Sequence, residues 1–215
     1  MSNPVLIIGE SGTGKSTSLR NLDPETTYLC QAIKKPLPFR GWKTSYQAKS
    51  ESNEGNLFVS DNVGSILALM KHISINRTEI KTLILDDVTY IMSNQFMRRA
   101  TETGFNKFSE IGSDFFHLVE KIGEYRDDLT IVFMGHSETK EDGKSGIKTA
   151  GKMLDTQYSI AGIFTIVLET FVESGQYKFI TQNNGRNCAK SPMGMFDGAL
   201  IDNDLNEVIK QINDY

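Results

Sequence analysis

Gly9, Gly14, Lys15 and Ser16 stand at the spacing G-x-x-x-x-G-K-[ST], in the stretch Gly9-Glu10-Ser11-Gly12-Thr13-Gly14-Lys15-Ser16-Thr17. These residue types suit one chemistry, the capture of a phosphate chain. Small residues let successive backbone N–H groups turn inward as an anion nest. Lys15 adds a mobile charge for the outer phosphates, and the Ser16 hydroxyl is placed to ligate Mg²⁺. A second constellation lies 70 residues beyond Ser16, where Lys81-Thr82-Leu83-Ile84-Leu85-Asp86-Asp87 runs from apolar to acidic. A strand of this kind buries its body and exposes carboxylates at its C-terminal end, where ligands bind in open α/β sheets. Asp86 is the candidate metal ligand opposite Ser16, and Asp87 either polarises the attacking water or hydrogen-bonds a neighbouring loop.

The elements that must position these groups are legible in part. Val5-Leu6-Ile7-Ile8 is a buried strand leading into the loop, and Thr17 to Leu22 is compatible with a helix whose positive end faces the phosphates. Thr26 to Cys30 reads as a second strand. The following loop, Lys34-Lys35-Pro36-Leu37-Pro38-Phe39-Arg40-Gly41-Trp42-Lys43, reads as a proline-stiffened segment packing Phe39 and Trp42 on the domain edge. Its mixture of cations and aromatics would also suit a nucleic acid strand. Ser45 to Gly55 is a polar excursion, after which Asp61 or Asn62 caps a helix with Val63, Ile66, Leu67, Met70 and Ile73 on its core face. The separation of the two motifs favours a sheet with an extra strand between the loop strand and the acid-tipped strand.

Downstream, Val88 to Ala100 reads as a helix, and Phe115, Leu118, Val119 and Ile122 mark another, capped by Ser113 or Asp114. Thr130-Ile131-Val132-Phe133-Met134-Gly135 is a strand buried on both faces, ending in His136, a candidate sensor of the terminal phosphate. Thr139 to Lys152 holds four lysines (Lys140, Lys144, Lys148, Lys152) against two acids, the most basic local segment and a candidate DNA contact. Phe164 to Val172 is a strand. Tyr177 to Thr181 and Arg186 to Lys190 flank Asn183-Asn184-Gly185, which predicts a hairpin between them. That hairpin would present Arg186 and Lys190 as a candidate finger toward a neighbouring subunit's nucleotide, or as simple edge decoration. Asp204 to Asn213 closes the chain as a helix.

At 215 residues the chain reads as a single α/β domain, with a core over 1–173 and a hairpin and helix over 174–215. A net charge of −4 excludes a broadly basic nucleic-acid binder, so DNA contact must be local. Cys30 and Cys188 stand in no metal spacing and suit a reducing compartment, and the leading apolar run is too short for a signal or a membrane span. The expectation is an intracellular protein with no membrane partner.

With these motifs in this order, the chain resembles RecA-like ATPases. More closely, it looks similar to the small phage-encoded ones associated with single-strand annealing and recombination. The resemblance is carried by Gly9 to Ser16, Lys35-Pro36-Leu37-Pro38-Phe39, Leu83 to Asp87, Gly135-His136 and Ala189-Lys190-Ser191-Pro192-Met193-Gly194-Met195-Phe196. It implies a RecA-like P-loop fold with a mostly parallel sheet, and Mg²⁺-dependent ATP hydrolysis. It further implies action on single-stranded DNA in the host cytoplasm, and rings or filaments with nucleotide near subunit interfaces. It strengthens Lys190 as a finger in trans and the Thr139 to Lys152 loop as the DNA contact. The chain departs from the pattern where Gln31-Ala32-Ile33 replaces a catalytic glutamate, leaving Glu10 or Asp87 as the water-orienting base. The alternative is a structural or assembly protein that uses ATP as a switch.

Overall fold

The computed structural model describes residues 2–141, 143–150 and 158–215. Strand β1 (Asn3–Gly9) lies at its centre, with Val5, Leu6, Ile7 and Ile8 wholly buried. The burial explains the unbroken apolar run, since a strand covered on both faces has no solvent side to make polar. The sheet continues with β2 (Thr27–Gln31), β3 (Leu57–Val59), β4 (Thr82–Asp86), β5 (Thr130–Thr139), β6 (Ser145–Ile147), β7 (Ile166–Glu173), β8 (Gln176–Ile180) and β9 (Leu200–Asp202). Its order is β3-β2-β4-β5-β1-β7-β8-β9, with β6 paired to the end of β5. Strands β3 through β7 along this order run parallel, and β8 and β9 add an antiparallel edge. The fold is mixed α/β with a mostly parallel central sheet, as expected.

The extra strand between β1 and acid-tipped β4 is present. It is β5, which follows β4 in the chain, and not a strand from the segment between the two motifs. Four helices lie before β5 in the chain: α1 (Trp42–Ser45), α2 (Val63–Asn76), α3 (Thr89–Arg98) and α4 (Asn106–Glu120). One face of the sheet packs Leu83, Leu85, Ile131 and Phe133 against Ile66, Met70 and Ile73 of α2 and Phe115 and Leu118 of α4. The other face packs Ile7, Ile84, Val132 and Leu168 against Leu19 and the C-terminal helix Leu205–Asp214, through its Leu205, Val208 and Ile212.

Several local expectations change. The segment after the loop is a six-residue 3-10 turn, Ser16–Asn21, and not an α-helix over Thr17 to Leu22. Asn62 caps α2 by accepting from the Ser65 N–H at 2.9 Å, while Asp61 binds Asn94 and Arg98 of α3. Helix α4 starts at Asn106, so Ser113 and Asp114 are mid-helix residues and cap nothing. Phe39 and Trp42 pack on the second core, as the proline-loop reading expects.

The predicted hairpin between Tyr177 to Thr181 and Arg186 to Lys190 does not form. Strand β8 pairs with β7 through the turn Ser174-Gly175, whose φ values of 51° and 77° are those of a mirror-image hairpin turn. Its other edge is taken by β9, so no ladder position is left for a strand over 186–190. Asn183 and Asn184 do make a turn, their side chains accepting from the Gly185 and Arg186 N–H groups. The returning chain instead meets β7, where Lys190 and Val167 exchange backbone bonds of 2.8 and 2.9 Å. The expected break between 173 and 174 falls inside the β7–β8 hairpin.

Candidate nucleotide site

The phosphate loop leaves β1 at Gly9 and turns at Gly12 and Gly14, whose φ values are 81° and 100°. A residue with a Cβ is strained in that region of backbone space. The Lys15 ammonium, 6% exposed, donates to the carbonyls of Gly9 and Glu10 at 2.7 Å each. Burial lowers its pKa to about 8, with Asp87 and Asp86 pulling in the opposite direction. The Thr13 hydroxyl donates to the Glu10 carbonyl at 2.7 Å and lies 2.5 Å from the Thr170 hydroxyl of β7, which ties the loop to the neighbouring strand. Glu10 itself is exposed.

Strand β4 brings Asp86 to the same sheet edge. The Ser16 hydroxyl donates to its carboxylate at 3.1 and 3.3 Å. Asp86 is 1% exposed, and its pKa is raised to about 6, by burial first and by Asp87 second. Lys35 and hydrogen bonds from Ser16 and Gln31 oppose that rise. A buried carboxylate on a hydroxyl beside a phosphate loop fits Mg²⁺, which takes few protein oxygens and fills its remaining positions with phosphate and water.

Asp87 follows in a left-handed conformation, φ 62°, which aspartate tolerates better than most residues. Both carboxylates are thereby buried in succession. Lys35 forms an ion pair with Asp87 Oδ2. Asp87 Oδ1 has no hydrogen-bond partner among the described residues and lies 3.6 Å from Nε2 of His136. His136 ends the apolar part of β5 opposite Gly9, with its ring edge-on to Tyr90 at 5.6 Å. Its pKa is lowered, by burial first and by Lys15 second, which keeps the imidazole neutral at pH 7. The His136 carbonyl accepts from the Lys148 N–H at 2.8 Å, so the first residue beyond β6 is tied to His136.

The structure thus brings together Lys15, Ser16, Asp86, Asp87 and His136. It adds Lys35 and Gln31, which the sequence reading left outside the site. Position at the C-terminal end of the second strand was the available signal, but only the β2–β4 register sets Gln31 opposite Asp86. The segment expected as an open loop is a β5–β6 hairpin: Lys140 pairs with Glu138 at 2.8 Å, its N–H bonds Lys144, and Lys148 is exposed. Lys152 lies outside the described residues. Arg186 is exposed at the Asn-Gly turn, and half-buried Lys190 sits against Val167 of β7, so neither joins this cluster. Among the described residues, no helix is long and apolar enough to cross a membrane.

No curated protein matches the chain. Among solved structures it is similar to the genome packaging NTPase B204 from Sulfolobus turreted icosahedral virus 2 in complex with ATP-gammaS. The identity is 11% and the TM-score 0.41, over 80% of this chain and 76% of that one. The family described as AAA domain matches residues 1–193, from β1 through the bridge of Lys190 to β7. With its phosphate loop, acid-tipped strand and buried lysine in one edge of a parallel sheet, the chain belongs to the AAA domain family of P-loop NTPases.

Proposed function

We propose that this protein hydrolyses ATP with Mg²⁺ and couples the reaction to single-stranded DNA during phage recombination or replication, in the cytoplasm of a host cell. Lys15 and the loop N–H groups hold the β- and γ-phosphates. Ser16 and Asp86 would hold Mg²⁺, which supplies positive charge to the phosphate oxygens. Asp87 orients water and takes its proton as the water oxygen bonds to the γ-phosphorus. The bond to the bridging oxygen breaks, and ADP and phosphate leave. Asp87 is favoured over Glu10 because Asp87 is buried beside His136 and Lys35, whereas Glu10 is exposed.

The observation that carries the coupling is the His136–Lys148 backbone bond. His136 faces the Asp87 carboxylate with its ring and holds the basic β5–β6 hairpin with its carbonyl, so a shift at one end moves the other. Lys140, Lys144, Lys148 and Lys152 supply the DNA contact. Rings or filaments would let Arg186 or Lys190 complete a neighbour's site.

Steady-state ATP hydrolysis at low salt, with and without single-stranded DNA, tests this reading. The expected result is DNA-stimulated turnover, lost in Lys15→Ala, and lost in Asp87→Asn with ATP binding retained. Tight ATP binding with negligible turnover and no response to DNA would overturn it and leave ATP as a switch in a structural or assembly protein.

A further inference from the structure

A cavity of about 530 Å³ opens beside the phosphate loop, lined in part by Thr17, Arg20, Tyr177, Lys178, Asn203 and Glu207. Its size is that of a small-molecule site. It adjoins the loop directly: a Cβ built on Gly14 would lie 2.8 Å from the Tyr177 ring and 3.2 Å from the Asn203 side-chain oxygen. Thr17, at its rim, follows Ser16, where a bound triphosphate must hand over to its nucleoside. Asn203 is held from both sides, its carbonyl accepting from Arg20 at 2.6 Å and its N–H donating to the Tyr177 carbonyl at 3.3 Å.

Two features of its wall suit a ligand. Asn203 is 3% exposed, and neither its amide nitrogen nor its amide oxygen has a hydrogen-bond partner among the described residues. Buried polar groups are almost always paired, and an unpaired one carries a desolvation penalty. Tyr177, by contrast, is 43% exposed, an aromatic ring on the cavity wall. We infer that this cavity is the nucleoside subsite, in which a purine base stacks on Tyr177 and its hydrogen-bonding edge pairs with the Asn203 amide. The ring lies over Gly14 beside the buried amide, so entry of a base would have to move the ring and open the amide to the cavity. An amide presents one donor group beside one acceptor, the pattern adenine matches with its amino group and adjacent ring nitrogen. The inference rests on the proposed nucleotide reading and names the part of the ligand that reading leaves open.

Calorimetric titration of the full chain with Mg²⁺ and ATP, GTP, CTP or inorganic tripolyphosphate tests it. ATP should bind at least tenfold tighter than CTP or tripolyphosphate. Tyr177→Ala should weaken ATP at least fivefold and leave tripolyphosphate unchanged. Asn203→Asp, which only accepts, should shift the ATP-to-GTP affinity ratio at least tenfold toward GTP, whose edge offers two donors. Asn203→Ala, which removes an unpaired amide and keeps the fold, should weaken ATP at least threefold and raise the melting temperature without nucleotide. Tripolyphosphate binding as tightly as ATP would overturn the subsite and leave the phosphate loop standing, as would a loss in Tyr177→Ala shared equally by both ligands. Failure of every ligand to bind would overturn the nucleotide reading as well.

Discussion

The Lys35 ammonium, from the loop after β2, is paired with the carboxylate of Asp87 at the tip of β4. This pair supplies the counter-charge for the second of two successive buried acids, while the other oxygen of Asp87 stays directed at His136. It also places a second cation close enough to Lys15 to help lower the Lys15 pKa.

Lys35→Ala removes that counter-charge. Stripping one partner from a fully buried pair costs about 3–5 kcal/mol, and the partial exposure of Lys35 reduces this to about 1–3 kcal/mol. Turnover should fall at least tenfold while ATP affinity changes less than threefold, with Lys35→Arg recovering part of the rate. Urea unfolding and steady-state kinetics measure both effects. An unchanged turnover number in Lys35→Ala would remove Lys35 from the mechanism.

Asp86 sets a pH dependence opposite in sign to that of most paired carboxylates. Its pKa stands near 6 in the fold, raised from 3.8 by burial and by Asp87, so the folded state binds a proton more tightly than the unfolded chain. Without Mg²⁺ its contribution to stability is therefore largest at low pH and is lost as pH rises from about 4 through about 6. Asp86→Asn should flatten that part of the profile and raise the metal-free melting temperature at pH 7.5, as thermal unfolding across pH would show. A profile identical to the parent protein's would contradict the assignment.

Gly9 is required by contact and not by backbone angle. A Cβ there would collide with the Thr170 hydroxyl and lie 2.8 Å from that of Thr13. Gly9→Ala should cost about 1–3 kcal/mol, the usual penalty of overpacking, and should weaken ATP binding by displacing the loop. In a double-mutant cycle, Thr170→Ala should recover at least a third of the stability loss. Strict additivity of the two changes would exclude the contact as the cause.

Lys148 joins β5, at His136, to the surface proposed to meet DNA. Lys148→Ala should weaken single-stranded DNA binding three- to tenfold and lower the slope of log affinity against log salt by about 0.7, the value for one phosphate contact on a single strand. Fluorescence anisotropy across a salt series reads this, and an unchanged slope would exclude a phosphate contact by Lys148.

What the chain declares locally, it declares well. The loop from Gly9 to Ser16, the acid pair at Asp86 and Asp87, and His136 after an apolar run are recognisable because a strand tip and a phosphate nest are built from consecutive residues. Asn62 as a cap is legible for the same reason, its bond spanning three residues. The Asn183-Asn184-Gly185 turn was also legible, but its partner was not. Which strand a returning segment meets depends on which edges are free, and both edges of β8 were occupied. The same limit hid Lys35 and Gln31, whose place in the site depends on β2 lying beside β4 in one register. It hid Tyr177 and Asn203, which reach Gly14 only because β8 and the turn after β9 close over the phosphate loop. The sequence by itself determined the phosphate loop and the acid-tipped strand, since each is built from neighbours in the chain. The tertiary structure alone decided what surrounds them, because strand order and register are set by packing of the whole sheet.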